Sequence, residues 1–334
     1  MIKLSERPQS IPFAHPVLKT ELRLDGNYLY CTVSKERFPV LTGIPRFCAQ
    51  ENYAKSFGFQ WALFRELQID ENYGGHQSRS RFCAATNWNL NDLDNTNILE
   101  VGCGAGRFSR VILGSSRANL YAVDYSTAVD ASLENNRDVS ERLFLSQASI
   151  YDLPFNTNSF DKIFCFGVLQ HTPSFQKSIG CLIDMAAAGG EIVVDFYPIR
   201  GWYTKIHSKY ILRRILPKMS ENRLLTLIEK NIDWMIKLSD LLRSLRLGFI
   251  TRFIPVTDLN NLPRGLSLER RRAWAILDTF DGLSATYDNP QRIDDVANMF
   301  RTRGCEVTFA GYVTYDGGTA AVVRALKQPR TCRA

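Results

Sequence analysis

The most constraining feature of this sequence is a run of twelve residues, 98–109, which reads Ile-Leu-Glu-Val-Gly-Cys-Gly-Ala-Gly-Arg-Phe-Ser. A short strand pattern leads into three alternate glycines, Gly102, Gly104 and Gly106, and a helical pattern follows. Glycine adopts backbone angles closed to other residues and lets a ligand approach the main chain, and a helix start presents unpaired N–H groups. The run therefore predicts a strand, a turn and a helix that together bind a nucleotide-like cofactor.

Two acidic residues narrow the kind of cofactor. Glu100 stands at the end of the strand, where an acid is unexpected beside a pyrophosphate and favours a cationic ligand. A second strand pattern, Asn119-Leu-Tyr-Ala-Val-Asp124, ends in an acid twenty residues after Gly104, the spacing at which an acid accepts both ribose hydroxyls. The alternative is an ordinary strand-to-helix turn of another α/β protein. The two acids together favour cofactor binding.

The pattern E-x-G-x-G-x-G resembles motif I of the class I S-adenosylmethionine-dependent methyltransferases. The resemblance implies S-adenosylmethionine as the cofactor, bound at the glycine turn and at Asp124 and Tyr125. Residues 148–155 occupy the family's adenine loop, with Ser149 where an acid is usual and Ile150 positioned to cover the ring. Residues 158–173 are similar to the family's fourth strand and the loop after it. The cofactor-binding residues predicted in this way are Glu100, Gly102, Cys103, Gly104, Gly106, Asp124, Tyr125, Ser149, Ile150, Phe166 and Gly167.

Strand and helix patterns alternate regularly after residue 97 and predict a parallel sheet. We expect strands over 98–102, 119–124, 142–146, 161–167 and 190–196, a helix over 290–304, and a terminal hairpin over 305–311 and 319–325. The predicted fold class is α/β: a Rossmann-like class I methyltransferase sheet of seven strands, the last antiparallel, with a helical insertion and a small N-terminal β module. The predicted division is a β module (1–50), a helical cap (51–96), the core (97–199 and 285–327) and a basic insertion (200–284).

The N-terminal module resembles the zinc ribbon that precedes the catalytic domain in a group of bacterial methyltransferases. A tetrahedral zinc site needs four Cys or His ligands, and only Cys31 stands where a C-x-x-C pair would lie, with Ser34 as its partner position. We expect no metal there. The following F-G-x-Q-W sequence also resembles that group, and Phe57, Trp61 and Phe64 at helical spacing predict either core packing or a cover over the cofactor.

The excess positive charge lies in one segment. The net charge is +7, and residues 200–250 hold eleven Lys or Arg against four Asp or Glu, which equals the whole excess. A long amphipathic helix is predicted there, with a seam through Leu224, Ile228, Asn231, Met235, Leu238, Leu242 and Leu245. Arg223, Lys230 and Lys237 form a stripe along its edge. Three interpretations stay open: a packed cap, a lid that contacts an anionic substrate, and docking on an acidic membrane surface.

Methyl transfer requires the protein to position the acceptor, exclude water and accept a proton. His171, in the loop after the fourth strand, is the candidate base, since histidine titrates near neutral pH; it could instead only pack the loop. Tyr287 is a candidate acceptor contact, with Tyr197 and Asp281 beside it as further candidates that could serve only turns and packing. The four histidines show no metal-ligand spacing.

The cysteine pattern and the N-terminal residues predict the cellular location. The eight cysteines include no C-x-x-C pair, several lie in apolar strands, and residues 1–18 do not resemble a signal peptide. We therefore expect reduced thiols, a cytoplasmic location and no transmembrane segment. The first hypothesis is methylation of an oxygen or nitrogen on a small-molecule or glycan-type acceptor. The alternatives are a non-catalytic scaffold with this fold and an RNA methyltransferase, the latter prompted by a pI of about 9.0. No DNA partner is expected.

Overall fold

A seven-stranded sheet with helices on both faces forms the centre of the protein. The computed structural model describes residues 11–49, 51–257, 259, 262–263 and 265–329. The strands are β1 (Leu22–Asp25), β2 (Tyr28–Cys31), β3 (Arg37–Leu41), β4 (Ile44–Pro45), β5 (Asn97–Val101), β6 (Asn119–Asp124), β7 (Leu143–Gln147), β8 (Phe160–Phe166), β9 (Ala186–Phe196), β10 (Cys305–Tyr315) and β11 (Gly318–Lys327). The helices are α1 (Lys55–Phe64), α2 (Gln77–Thr86), α3 (Arg107–Leu113), α4 (Ala128–Asn135), α5 (Phe175–Met185), α6 (Ser208–Leu212), α7 (Glu221–Ser244), α8 (Leu268–Ser284) and α9 (Ile293–Arg301).

The order of strands across the main sheet is β10-β11-β9-β8-β5-β6-β7. Strands β5 to β9 are parallel, and β11 lies antiparallel between β9 and β10. The predicted fold class is confirmed, including the terminal hairpin. That hairpin is longer than predicted. Strand β10 continues to Tyr315, and its residues alternate between exposed and half-buried. The chain order reverses beside β5, so the carboxyl ends of β5 and β8 border the crevice in which such sheets bind ligands.

Apolar residues cover both faces of the main sheet. One cluster includes Leu99, Tyr121 and Phe160, and the other includes Ile98, Leu120 and Phe164. Alternate residues of each strand therefore enter opposite clusters, as the pleat requires. Burial on both faces explains why these strands are continuous apolar runs in the sequence.

The N-terminal module is a four-stranded antiparallel sheet in the order β1-β2-β3-β4, and its first turn falls between Asp25 and Tyr28. A parallel bridge from Arg46 to Gln147 joins it to the edge strand β7 of the main sheet. Cys31 is buried, and its Sγ accepts a hydrogen bond from the Ser34 backbone N–H at 3.4 Å. Nowhere in the described residues do three or more His, Cys, Asp or Glu side chains form a group that could hold a metal ion. The zinc-ribbon origin stays a prediction.

The insertion packs as a separate apolar cluster between α7 and α8. The predicted seam of α7 is partly wrong: Leu224, Ile228 and Met235 are buried, but Leu238 and Leu245 are exposed. The buried face instead continues through Ile232 and Ser239. Apolar residues that repeat every seven positions stay on one face only when the helix supercoils. In a straight helix of 3.6 residues per turn, such a line of residues drifts around the helix axis. Over the described chain, no helix combines the length and the apolar character needed to cross a membrane.

Candidate functional site

A single cleft opens beyond the carboxyl ends of the parallel strands. Its volume is about 560 Å³, and its lining includes residues that follow β5, β6, β8 and β9. Residues of α1 and α8 line it from the opposite side, so the insertion covers part of the cleft. This volume lies within the range of small-molecule sites, about 300–1,000 Å³.

The glycine turn after β5 requires glycine at each of its three positions. Gly102, Gly104 and Gly106 have φ angles of +82°, +52° and +79°, which side-chain-bearing residues rarely adopt. A Cβ atom at Gly102 would lie 2.1 Å from Val168, and one at Gly104 would lie 3.0 Å from the indole nitrogen of Trp61. The turn is therefore closely packed on two sides, and the main chain of Gly102 to Ala105 lines the cleft.

Asp124 joins the glycine turn to the loop after β6. One carboxylate oxygen accepts a hydrogen bond from the Gly104 backbone N–H at 2.9 Å, and the other accepts from the Ser126 backbone N–H and hydroxyl at 2.8 and 2.7 Å. Burial raises the pKa of Asp124, and these hydrogen bonds oppose that effect. Asp124 also lines the cleft, and the one lone pair that these three hydrogen bonds leave on its carboxylate can accept a ligand hydroxyl.

Glu100, predicted as a cofactor residue, does not line the cleft. The side chain is 1% exposed, and one carboxyl oxygen accepts a hydrogen bond from the Ser109 hydroxyl on α3 at 2.5 Å. Within the described residues its other oxygen has no hydrogen-bond partner. Burial raises the pKa of Glu100 to about 8. The acid is therefore neutral at pH 7 and holds α3 against β5.

The structure brings most of the other predicted cofactor residues to the cleft. Gly106 does not line it: this residue caps α3, and a Cβ there would meet Ser132 and Asn136 at 2.4 Å. Ser149 does not line it either, because its hydroxyl accepts a hydrogen bond from the Tyr151 backbone N–H. The predicted cofactor residues that do line the cleft are Gly102, Cys103, Gly104, Asp124, Tyr125, Ile150, Phe166 and Gly167.

Helix α1 covers the cleft with part of its aromatic face. Phe57 and Trp61 line the cleft, whereas Phe64 packs with the insertion cluster. Both interpretations of this segment therefore hold, for different residues. Just before the helix, the ring of Tyr53 lies 4.8 Å from the ring of Tyr125. Together these rings close the cleft over the loop that follows β6.

His171 lines the cleft with a fixed tautomer. Its Nδ1 lies 2.9 Å from the carbonyl oxygen of Tyr287. Because a carbonyl can only accept, Nδ1 carries the proton and Nε2 is left with a free lone pair. Nε2 has no hydrogen-bond partner among the described residues. The imidazole is therefore arranged as a proton acceptor.

A carboxylate lies close to the Nε2 of His171. Asp281, on α8, places an oxygen 3.9 Å from His171 Nε2. The same oxygen accepts a hydrogen bond from the Tyr197 hydroxyl at 3.3 Å, and the other oxygen accepts from the Gln60 side-chain amide at 3.1 Å. All four side chains line the cleft. Tyr287 does not line it: its ring packs edge-to-face on Tyr53, and only its carbonyl serves the site.

A buried ion pair supports the loop after β8, and sequence reasoning missed both of its members. Arg81, on α2, donates two hydrogen bonds to one oxygen of Asp195 at 3.0 and 2.6 Å. The other oxygen of Asp195 accepts from the Gly167 backbone N–H at 2.5 Å. The pair joins residues 114 positions apart, and no local pattern marks such a pairing. It orients Gly167, which sits at the cleft with a φ angle of +69°.

Arg107 and Asp278 also line the cleft and were not predicted. The Arg107 guanidinium lies 4.5 Å from the centroid of the Phe108 ring; burial and the nearby Arg81 lower its pKa to about 10, so it stays cationic at pH 7. Enclosure and the nearby Asp281 raise the pKa of Asp278 to about 7. The position of Arg107 directly after the third glycine was an available signal, but Asp278 lies in the helical insertion, where nothing indicated a cleft residue. The lining of the cleft thus includes basic and acidic side chains.

Residues 99–194 match a family model described as a methyltransferase domain. The matched segment runs from β5 to β9 and includes the glycine turn, Asp124 and His171. Residues 200–284 lie outside the match.

The curated relatives match over a similar length. A tRNA U34 carboxymethyltransferase of Pseudomonas fluorescens is 28% identical over 117 residues, which is 33% of this chain and 35% of the relative. A protein of the same name from Aliivibrio salmonicida is 33% identical over 115 residues, 34% of this chain and 35% of the relative. The chain spans about a third of the length of these relatives.

Solved structures align over more of the chain at low identity. Magnesium protoporphyrin IX methyltransferase from Synechocystis, with bound SAM, aligns with a TM-score of 0.41 at 12% identity and covers 75% of this chain and 77% of that one. A putative S-adenosyl-L-methionine-dependent methyltransferase from Methanococcus maripaludis aligns with a TM-score of 0.45 at 12% identity and covers 85% and 98%.

Proposed function

We propose that this chain, which contains a class I S-adenosylmethionine-dependent methyltransferase domain, transfers a methyl group to an oxygen or nitrogen of a small-molecule or glycan-type acceptor. The observation that carries the proposal is the imidazole of His171, whose Nε2 lone pair is free in the same cleft that contains the glycine turn. A cofactor site without a proton acceptor would fit a scaffold equally well. The two together support an enzyme.

The cleft fits S-adenosylmethionine, the cofactor of this domain. The main chain of Gly102 to Ala105 lines the cleft beside the position for a ligand, and the free lone pair of the Asp124 carboxylate is placed to accept a ribose hydroxyl. Tyr125 and Ile150 would flank the adenine, and Phe166 and Gly167 would border the methionine part. When bound, the cofactor supplies a methyl group already activated by a sulfonium.

The side chains of the cleft then have distinct roles. His171 Nε2 would accept the proton of an acceptor hydroxyl as its oxygen takes the methyl group, or the proton of an acceptor ammonium before its nitrogen does. The methyl carbon would leave the sulfonium, whose sulfur keeps the bonding electron pair, so that S-adenosylhomocysteine is the leaving group. The imidazolium that forms is stabilised by the Tyr287 carbonyl at 2.9 Å and by the Asp281 carboxylate at 3.9 Å. Gln60 and Tyr197 hold that carboxylate by hydrogen bonds. Phe57 and Trp61 exclude water from the cofactor.

A small polar acceptor suits the enclosed half of the cleft. This half is lined by Lys209 and Tyr210 of α6 and by Asp278 and Asp281 of α8, so the insertion covers the position of the acceptor. These charged and hydrogen-bonding groups could contact the hydroxyl groups of an acceptor. A polynucleotide would have to extend a nucleotide past these helices.

An RNA acceptor is the second candidate, and one observation favours it: the curated relatives carry the name tRNA U34 carboxymethyltransferase. Their alignment leaves two thirds of each protein unmatched. The name of these relatives is therefore a reason to test tRNA as an acceptor, and it does not decide between RNA and a small acceptor. RNA binding through the basic insertion would weaken steeply with salt.

Two measurements test the proposal in sequence. Calorimetry with S-adenosylmethionine and S-adenosylhomocysteine should show binding of both, and absence of binding by the folded protein would overturn the whole assignment. Release of S-adenosylhomocysteine is then measured with sugar, amine and tRNA acceptors. Turnover on a sugar or amine that is lost in the H171N variant supports the proposal. Turnover on tRNA alone would replace the small acceptor with RNA, and no turnover on any acceptor would favour the scaffold.

A further inference from the structure

A cluster of large apolar side chains lies exposed on the insertion, outside the cleft. Trp202 is 84% exposed, Phe249 is 66% exposed and Phe253 is 56% exposed. With Tyr203 and Ile206 they surround a shallow groove of about 500 Å³. We call these five residues the apolar patch. Exposed patches rimmed by charged residues mark surfaces that meet a protein or a membrane.

Helix α7 carries a second exposed apolar stripe that leads toward this patch. Leu227, Trp234, Leu238, Leu241 and Leu245 are exposed, and at 100° per residue they all lie within 40° of one line along the helix. The stripe is distinct from the buried face through Leu224 and Ile232. The chain then continues through the exposed Leu247 into residues 248–253, the short helix that supplies Phe249 and Phe253.

Unpaired basic side chains accompany both apolar surfaces. Two of the four acids of the segment form ion pairs: Asp233 pairs with Arg272, and Asp240 pairs with Arg271. Several basic residues are exposed and form no ion pair with any described residue; they are Arg214, Lys218, Arg223, Lys230, Lys237 and Arg246. The segment therefore presents uncompensated positive charge next to apolar side chains.

We propose that this surface docks the protein on an anionic lipid bilayer. Exposed aromatic and aliphatic side chains enter the boundary between headgroups and acyl chains, while lysines and arginines meet the anionic headgroups. The charge of the segment is complementary to such a surface and is the whole excess of the chain. Exposed aliphatic side chains such as Ile206, Ile211 and Leu241 favour lipid over RNA, because bases stack on aromatic rings and not on isoleucine or leucine.

The docking surface and the cleft share one stretch of chain. Arg200, Thr204 and His207 line the cleft, while Trp202 and Ile206 between them are exposed. Docking through the apolar patch therefore brings the acceptor side of the cleft near the bilayer surface. The inference stands without the proposed methyl acceptor, since lipid binding is measured independently of turnover.

Sedimentation of the full chain with vesicles tests the inference. The protein should co-sediment with vesicles made of equal amounts of phosphatidylglycerol and phosphatidylcholine. Much less protein should co-sediment with vesicles of phosphatidylcholine alone. The W202S/F249S/F253S variant should lose about tenfold or more of the binding. The matched control is V17S/V33S/L63S, which removes three exposed apolar side chains elsewhere and should bind like the wild type. The R223Q/K230Q/K237Q variant should bind more weakly and with less dependence on salt.

Folding is checked by an unchanged melting temperature and unchanged S-adenosylmethionine affinity in each variant. Equal vesicle binding by both apolar triple variants would overturn the inference, as would equal binding to anionic and neutral vesicles. A dimer of the wild type that the W202S/F249S/F253S variant dissolves, without vesicle binding, would assign the patch to a second copy instead. Salt-sensitive RNA binding lost in the basic variant, again without vesicle binding, would assign it to RNA.

Discussion

The Nδ1 of His171 donates a hydrogen bond to the Tyr287 carbonyl oxygen at 2.9 Å, which leaves Nε2 as the basic nitrogen of the cleft. The side-chain amide of asparagine can reproduce the Nδ1 donor but offers no nitrogen lone pair. We expect H171N to lower kcat by about 10²–10⁴-fold while leaving S-adenosylmethionine affinity unchanged. Steady-state kinetics and calorimetry measure the two effects. An unchanged kcat would show that His171 only packs its loop.

The Asp281 carboxylate lies 3.9 Å from His171 Nε2. The D281N variant keeps the size of the side chain but removes the charge. We expect kcat to fall, because the charge that stabilises the imidazolium formed during proton transfer is lost. The Y197F variant is the control, since it removes a hydrogen bond to Asp281 and keeps the charge, so its kcat should fall less. Steady-state kinetics measures both variants, and equal falls in kcat would make Asp281 a packing residue only.

Gly102 combines a φ angle of +82° with a Cβ position 2.1 Å from Val168. Gly43 has the same φ angle, and nothing lies within 4 Å of its Cβ position. G43A therefore measures backbone strain alone, and G102A measures strain plus overlap. We expect G102A to lower the free energy of unfolding by about 1–3 kcal/mol more than G43A and to weaken cofactor binding. The V168A substitution should restore part of both losses; equal effects of G102A and G43A would contradict this.

Glu100 makes the stability of the protein depend on pH. Its pKa is about 8 when folded and near 4.5 when unfolded, so the folded state holds the extra proton between these values. The free energy of unfolding should therefore fall as pH rises from about 5 to about 8, at most by about 1.4 kcal/mol for each unit of pKa difference. Denaturant unfolding across this range should show a flatter profile for E100Q. E141Q, at an exposed acid, should keep the wild-type slope.

The parts of the site that could be predicted depend on local patterns. Gly102, Gly104 and Asp124 follow strands whose apolar runs are visible in the sequence, and parallel strands bring their carboxyl ends together. The pairing of Arg81 with Asp195 depends on how α2 packs against the sheet. The approach of Asp281 to His171 depends on how the insertion folds back over the sheet, and no local pattern records either contact. Glu100 shows a different limit: its position in the motif was correct, but whether the side chain faces the cleft or α3 depends on the pleat and on Ser109.

Other predictions concern the arrangement of whole segments. The strand assignments of the main sheet agree with the structure to within a few residues, because buried parallel strands have the clearest patterns. The proposed division into a β module, a cap, a core and an insertion stays a prediction. The buried face of α7 was misplaced after Met235 because a strict repeat of seven was assumed for a helix that does not supercoil.

Helix α1 touches both the cofactor side and the proton-accepting side of the cleft. Trp61 stands over the glycine turn, and the residue immediately before it on the same helix, Gln60, donates its side-chain amide N–H to Asp281. Any displacement of α1 that uncovers the glycine turn must also stretch the contact with the carboxylate beside His171. Release of the demethylated cofactor and deprotonation of His171 would then both depend on the same movement of α1. Each turnover would require one conformational change of the helix and not two independent ones.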